Sequence, residues 1–158
     1  MAEERLLRIY LNDHLATASA GAALARRALR SNRGSELGLF LETLAADLED
    51  DLVNIESVMR QLGLKPSSFK RSLGVVGERL GRLKLNGRIV SYSPLSRLAE
   101  LEGLSLLVAH NACLWRTLET LGVERAAGLA ERGERQIEAL RRHRLDAARL
   151  AFTPEAVE

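Results

Sequence analysis

The chain has 158 residues, of which 46% are hydrophobic and only 4% aromatic, with a formal charge of +2 and three prolines. A chain of this length is the size of one domain and buries roughly two thirds of its unfolded surface. Its apolar residues are mainly Leu and Ala, which lose little freedom in a helix, so the alphabet predicts an all-α fold and argues against sheet. The single cysteine, Cys113, rules out a disulfide within the chain. No uninterrupted apolar run approaches the roughly 18 residues of a membrane span, and the opening MAEERLLRIY is charged where a signal peptide needs an apolar core. A cytoplasmic protein is the expectation.

The first predicted helix runs over residues 4–31, with Leu7, Leu11, His14, Ala18, Gly21, Ala25 and Ala28 on one face at three- and four-residue steps. Asn32-Arg33-Gly34 stops it. Ser35 offers an N-cap for a second helix over 35–62, which carries the sharpest stripe: Leu37, Leu41, Leu44, Leu48, Leu52, Ile55, Met59 and Leu62. Gly63 ends it. Residues 63–93 differ in kind. They hold Gly74, Gly77, Gly81 and Gly87, and predict one shorter helix with Leu73, Val76, Leu80 and Leu83 on one side. Ser93-Pro94 restarts the chain as N-cap and first helical residue of a third helix, 94–121, ending at Gly122. A fourth is expected over 123–150, before the breaker Thr153-Pro154.

Four helices near 28 residues would each be about 42 Å long. Short loops inside each pair predict two antiparallel hairpins, and the segment between them is too long for a tight turn. On this topology the chain resembles the ferritin-like superfamily of four-helix bundles, in which one long crossover joins helices 2 and 3. The resemblance covers most of the chain as topology rather than motif. It implies a di-iron centre built from a Glu on the first and third helices and Glu-x-x-His on the second and fourth. The residues three before His14, His110 and His143 are Leu11, Leu107 and Leu140, so both Glu-x-x-His motifs are missing.

A reduced site is the alternative. Projected at about 100° per residue, His14 and Asp51 fall inside the apolar arcs of the first two helices, and Glu102 and Glu134 fall near the apolar edges of the last two. One inward polar residue per helix would suit iron or manganese as hard-ligand metals. Against this, a lone His on an apolar face is ordinarily a core residue, with Asp51 as its possible partner. Arg141 and Arg144 also approach the fourth helix's core face, where a guanidinium repels a metal and a buried Arg–carboxylate pair can stand in its place. The expectation is a bundle without a metal cofactor.

Other features carry less chemistry. The second helix has Glu42, Asp47, Glu49, Asp50, Asp51 and Glu56 with no basic residue between them, while Lys65 to Arg88 carries seven basic residues against Glu78 alone. Packing of the crossover beside the acidic helix accounts for both. Its glycines lack phosphate-loop spacing, and binding of nucleic acid or membrane would rest on charge alone. No nucleophilic arrangement emerges: Cys113 follows His110 by three on an apolar helix, which reads as packing. Gly103 to Trp115 has no formal charge and is apolar around much of its circumference, as in a helix buried on several sides. Either the crossover or a second subunit would cover its outer face, and the expectation is a non-enzymatic protein acting by association, as a homodimer through the third helix.

Overall fold

The computed structural model describes residues 2–65 and 92–153. Within them the chain forms four long helices, α1 (Ala2–Ser31), α2 (Glu36–Gln61), α3 (Pro94–Thr120) and α4 (Leu129–Phe152), with a short 3₁₀ turn at Glu124–Ala126 and no strand. None of these helices is long and apolar enough to cross a membrane. The expected helix and glycines between residues 66 and 91 lie outside the described residues.

The helix ends follow local chemistry. The Ser35 hydroxyl accepts from the Gly38 amide, and the Ser93 hydroxyl accepts from the Ser96 amide ahead of Pro94, satisfying donors that have no partner inside the helix. At the other ends Gly63 and Gly122 adopt φ of 68° and 75°. The chain then folds back so that the Leu64 amide donates to the Met59 carbonyl at 2.8 Å and the Val123 amide to Leu118 at 3.0 Å, the pattern that closes a helix C-terminus. This closure delays α4. Val123, expected as its first residue, instead completes the end of α3, and the helix starts at Leu129 after Gly128 turns with φ 76°.

Contacts fix the packing. Arg26 pairs with Glu49, making α1 and α2 an antiparallel hairpin, and Arg116 pairs with Glu131 and Glu134, doing the same for α3 and α4. The second hairpin is the tighter: a methyl group added at Gly133 would stand 2.8 Å from the Ala112 Cβ. Between hairpins α1 runs antiparallel to α3, as Tyr10–Thr117 and Arg27–Glu100 show. Helices α2 and α3 therefore run in the same sense. Gln61 and Leu62 lie beside the turn after α3, whereas Tyr92 donates to Glu100 and accepts from Asn32 at the opposite end of the bundle.

The core has two parts. Leu24, Leu41, Leu44, Leu48, Leu101, Leu104 and Leu140 fill one, and Leu11, Leu15, Ile55, Met59, Leu114, Trp115 and Leu118 fill the other. Each such side chain contributes about 1.5–3 kcal/mol on burial. At the boundary, between Leu48 and Ile55 on α2 and between Val108 and Leu114 on α3, the buried residues Asp51 and Asn111 are polar.

Candidate functional site

Asp51 is the centre of the largest buried polar group. It is 3% exposed, carried on α2 one turn beyond Leu48, so the helical period that buries the leucine stripe also buries the carboxylate. Trp115 Nε1 donates to its Oδ1 at 3.0 Å, Arg132 to the same oxygen at 2.5 Å, and Asn111 Nδ2 to its Oδ2 at 3.3 Å. Asn111 and Trp115 are one turn apart on α3, which aims both at the same point. Arg132 enters from α4. Beside it Gln136 donates to Asp47 at 2.7 Å, extending the polar seam between α2 and α4 toward solvent. Burial pushes the Asp51 carboxyl up to about 6, against the pull of Arg132, Asn111 and Trp115, with Asp47 adding a small push in the same direction.

His14 sits between α1 and α3 and is 2% exposed. Its ring stacks on that of the exposed His110, with centroids 3.9 Å apart and planes inclined by 12°, and meets the edge of Tyr10 at 4.4 Å. Its Nδ1 has no hydrogen-bond partner among the described residues. Burial, and then the neighbouring His110, lower its pKa to about 4.

The four residues singled out in the sequence are thus not brought together. His14 and Asp51 are inward, as projected, but each has its own partners, and they are not a pair. Glu102 and Glu134 are exposed on the outside of the bundle, at 54% and 59%. Glu134 pairs with Arg116 at 2.7 Å. Each follows a buried residue, Leu101 or Gly133, by one position, and the roughly 100° turn per residue carries it out of the core to the solvent side. The arginine that reaches the core is Arg132, whereas Arg141 is exposed and pairs with Glu138. Cys113, expected in packing, is exposed. Sequence reasoning missed the cluster of Asn111, Trp115 and Arg132, although a signal existed. A Trp one turn after an Asn in an apolar run needs a partner for its N–H when buried, and Asp51 is the acceptor.

This donor set does not fit the carboxylate-bridged metal pair that the ferritin-like resemblance implies. Both Asp51 oxygens accept from fixed donors, one of them a guanidinium in the place a cation would take. Among the described residues no three His, Cys, Asp or Glu side chains converge as a metal site. What the cluster supplies is a buried ion pair with two further hydrogen bonds, a device that fixes how α2, α3 and α4 meet.

No family model, no curated protein and no solved structure matches the chain.

Proposed function

We propose that this chain is a non-enzymatic bundle of ferritin-like connectivity that acts by pairing with a second copy of itself through the outer face of α3. The connectivity is supported by the co-directional α2 and α3, whose joining residues start and finish at opposite ends of the bundle. A single long crossover links hairpins in that manner.

One observation carries the association. Leu106 is 74% exposed at the middle of the uncharged stretch Gly103–Trp115. On the same stripe Leu95 is 55% exposed, with Ala99 half-buried between the two leucines and Ala109 half-buried just beyond Leu106. Glu102 shares this stripe and pairs with Arg144, but from Gly103 to Trp115 the face is uncharged, and exposed leucine there is an arrangement that two-fold association buries, since the same patch serves both copies. The polar core supports a structural rather than catalytic reading, because its buried carboxylates are already engaged, Asp51 by Arg132 and Glu100 by Arg27.

Sedimentation equilibrium tests the proposal. The chain is expected to run as a dimer, and Leu106→Glu as a folded monomer with unchanged helical circular dichroism. A wild-type chain that stays monomeric at about 100 μM, a concentration at which even a weak specific pair is half formed, would sink the reading.

A further inference from the structure

The His14–His110 stack remains unexplained by packing or by association. A fully buried imidazole ordinarily has its nitrogens satisfied, because a polar atom withdrawn from water without a partner destabilises the fold. His14 keeps Nδ1 unpartnered among the described residues while lying flat against a second imidazole that is open to solvent. Two neutral rings stack well in this geometry. Two imidazolium rings at 3.9 Å do not, since like charges at that separation repel strongly where water is excluded.

We infer that the His14–His110 stack is an acid-released latch between α1 and α3, closed when His14 is neutral and opened when both rings carry protons. Among the described residues His14 makes no ion pair that would offset the second proton, and its Nδ1 has no acceptor. On α1 the titratable group facing His14 is Tyr10, whose ring edge meets it, and on α3 it is His110. The buried residues flanking His14 on its own helix are Leu11, Leu15 and Ala18, and those filling the same core from α2 and α3 are Ile55, Val58 and Leu114. None is charged. The buried carboxylates are committed elsewhere, Asp51 to Arg132, Asn111 and Trp115 and Glu100 to Arg27 and Tyr92. Burial and His110 both act to keep the proton off His14. When it does bind, the group that yields is the seam these rings close, where Tyr10 also bonds to Thr117 at 3.1 Å. The two hairpins hold by their own contacts, so opening stays local.

Hydrogen exchange on the full chain, corrected for the pH dependence of intrinsic exchange and combined with NMR titration of the histidine ring protons, tests this. Between about pH 7 and pH 4.5, exchange over 10–17 and 110–117 is expected to accelerate roughly tenfold relative to the α2 and α4 amides. His14→Phe keeps the ring stack without the proton site and is expected to abolish that selective change. His110→Gln removes the facing charge, and is expected to raise the pH at which His14 titrates and to weaken the acid response. No selective acceleration in the wild-type chain would overturn the inference. So would a response that survives His14→Phe, or a His14 titration unmoved by His110→Gln.

Discussion

Two of the buried polar groups in this bundle, those around Asp51 and His14, follow opposite rules. In the seam of α2, α3 and α4 the Asp51 carboxylate is met by a cation and two neutral donors. In the seam of α1 and α3 the His14 ring is met by another ring, with no hydrogen bond on Nδ1 among the described residues. The first is held by directional bonds that would be costly to leave unmade. The second is held by stacking and by staying neutral. The pairing of a polar group, more than its burial, decides what its loss does.

The largest effect is expected where the bonds are directional. Asp51→Ala strands Arg132, Asn111 and Trp115 and should lower the unfolding free energy by about 3–5 kcal/mol, as breaking one side of a buried pair does. Replacing Asp51 and Arg132 together with Leu should recover most of that loss. A urea-melt double-mutant cycle checks both numbers, and near-additive losses would show that Arg132 does not carry the pair.

Acid should then separate the seams. His14 has a folded pKa near 4 against an ordinary 6.5, so the unfolded chain binds its proton first, and stability is lost as pH falls from about 6.5 to 4. Asp51 has a folded pKa near 6 against 3.8, so the folded chain binds its proton first, and stability is gained as pH falls from about 6 to 4. At about 1.4 kcal/mol per pH unit each contribution approaches 3 kcal/mol over this window, with opposite sign. The wild-type chain should therefore be nearly level between pH 6.5 and 4. Asp51→Asn should become acid-labile there, and His14→Phe should become more stable in acid. Urea melts at half-unit pH steps measure all three, and parallel curves would remove the distinction between the seams.

A smaller effect is expected from Gly133→Ala. The new methyl meets Ala112 at 2.8 Å, with the Ala112 Cα at 3.4 Å, so α4 must move away from α3 next to Arg132. Overpacking of this kind costs about 1–3 kcal/mol, partly offset by the better helix propensity of Ala. If the Asp51 seam depends on close placement of Arg132, combining this change with Asp51→Ala should cost less than the sum of the two. Strict additivity in thermal melts would mean that the long arginine side chain absorbs the shift.

The sequence was most legible where the signal was local. Ser35 and Ser93 cap their helices, Gly63 and Gly122 end theirs, and the stripe of α2 from Leu37 to Met59 faces the core, with only Leu62 past the helix end exposed, because caps and periodicity act over a few residues. Angular projection also placed His14 and Asp51 inward. It failed on Glu102 and Glu134, which stand one residue past the buried Leu101 and Gly133 and so turn to solvent, and on Arg132, whose long side chain reaches a core that its backbone position only borders. It could not find the His14–His110 stack or the Asp51 partners, since projection gives a residue's direction but not its height along the bundle. The late start of α4 was hidden for another reason: the chain spends Val123 on closing α3 before it can begin again.

The only tryptophan of the chain donates its indole N–H to the only buried aspartate among the described residues. This gives the molecule an internal optical probe. A negative carboxylate and a guanidinium on one side of the indole set up a local field that changes when the carboxyl takes a proton or loses Arg132. Trp115 emission wavelength and lifetime therefore track the state of one seam inside the intact bundle, without a label, and a pH series of emission spectra follows the titration of Asp51 while the chain stays folded.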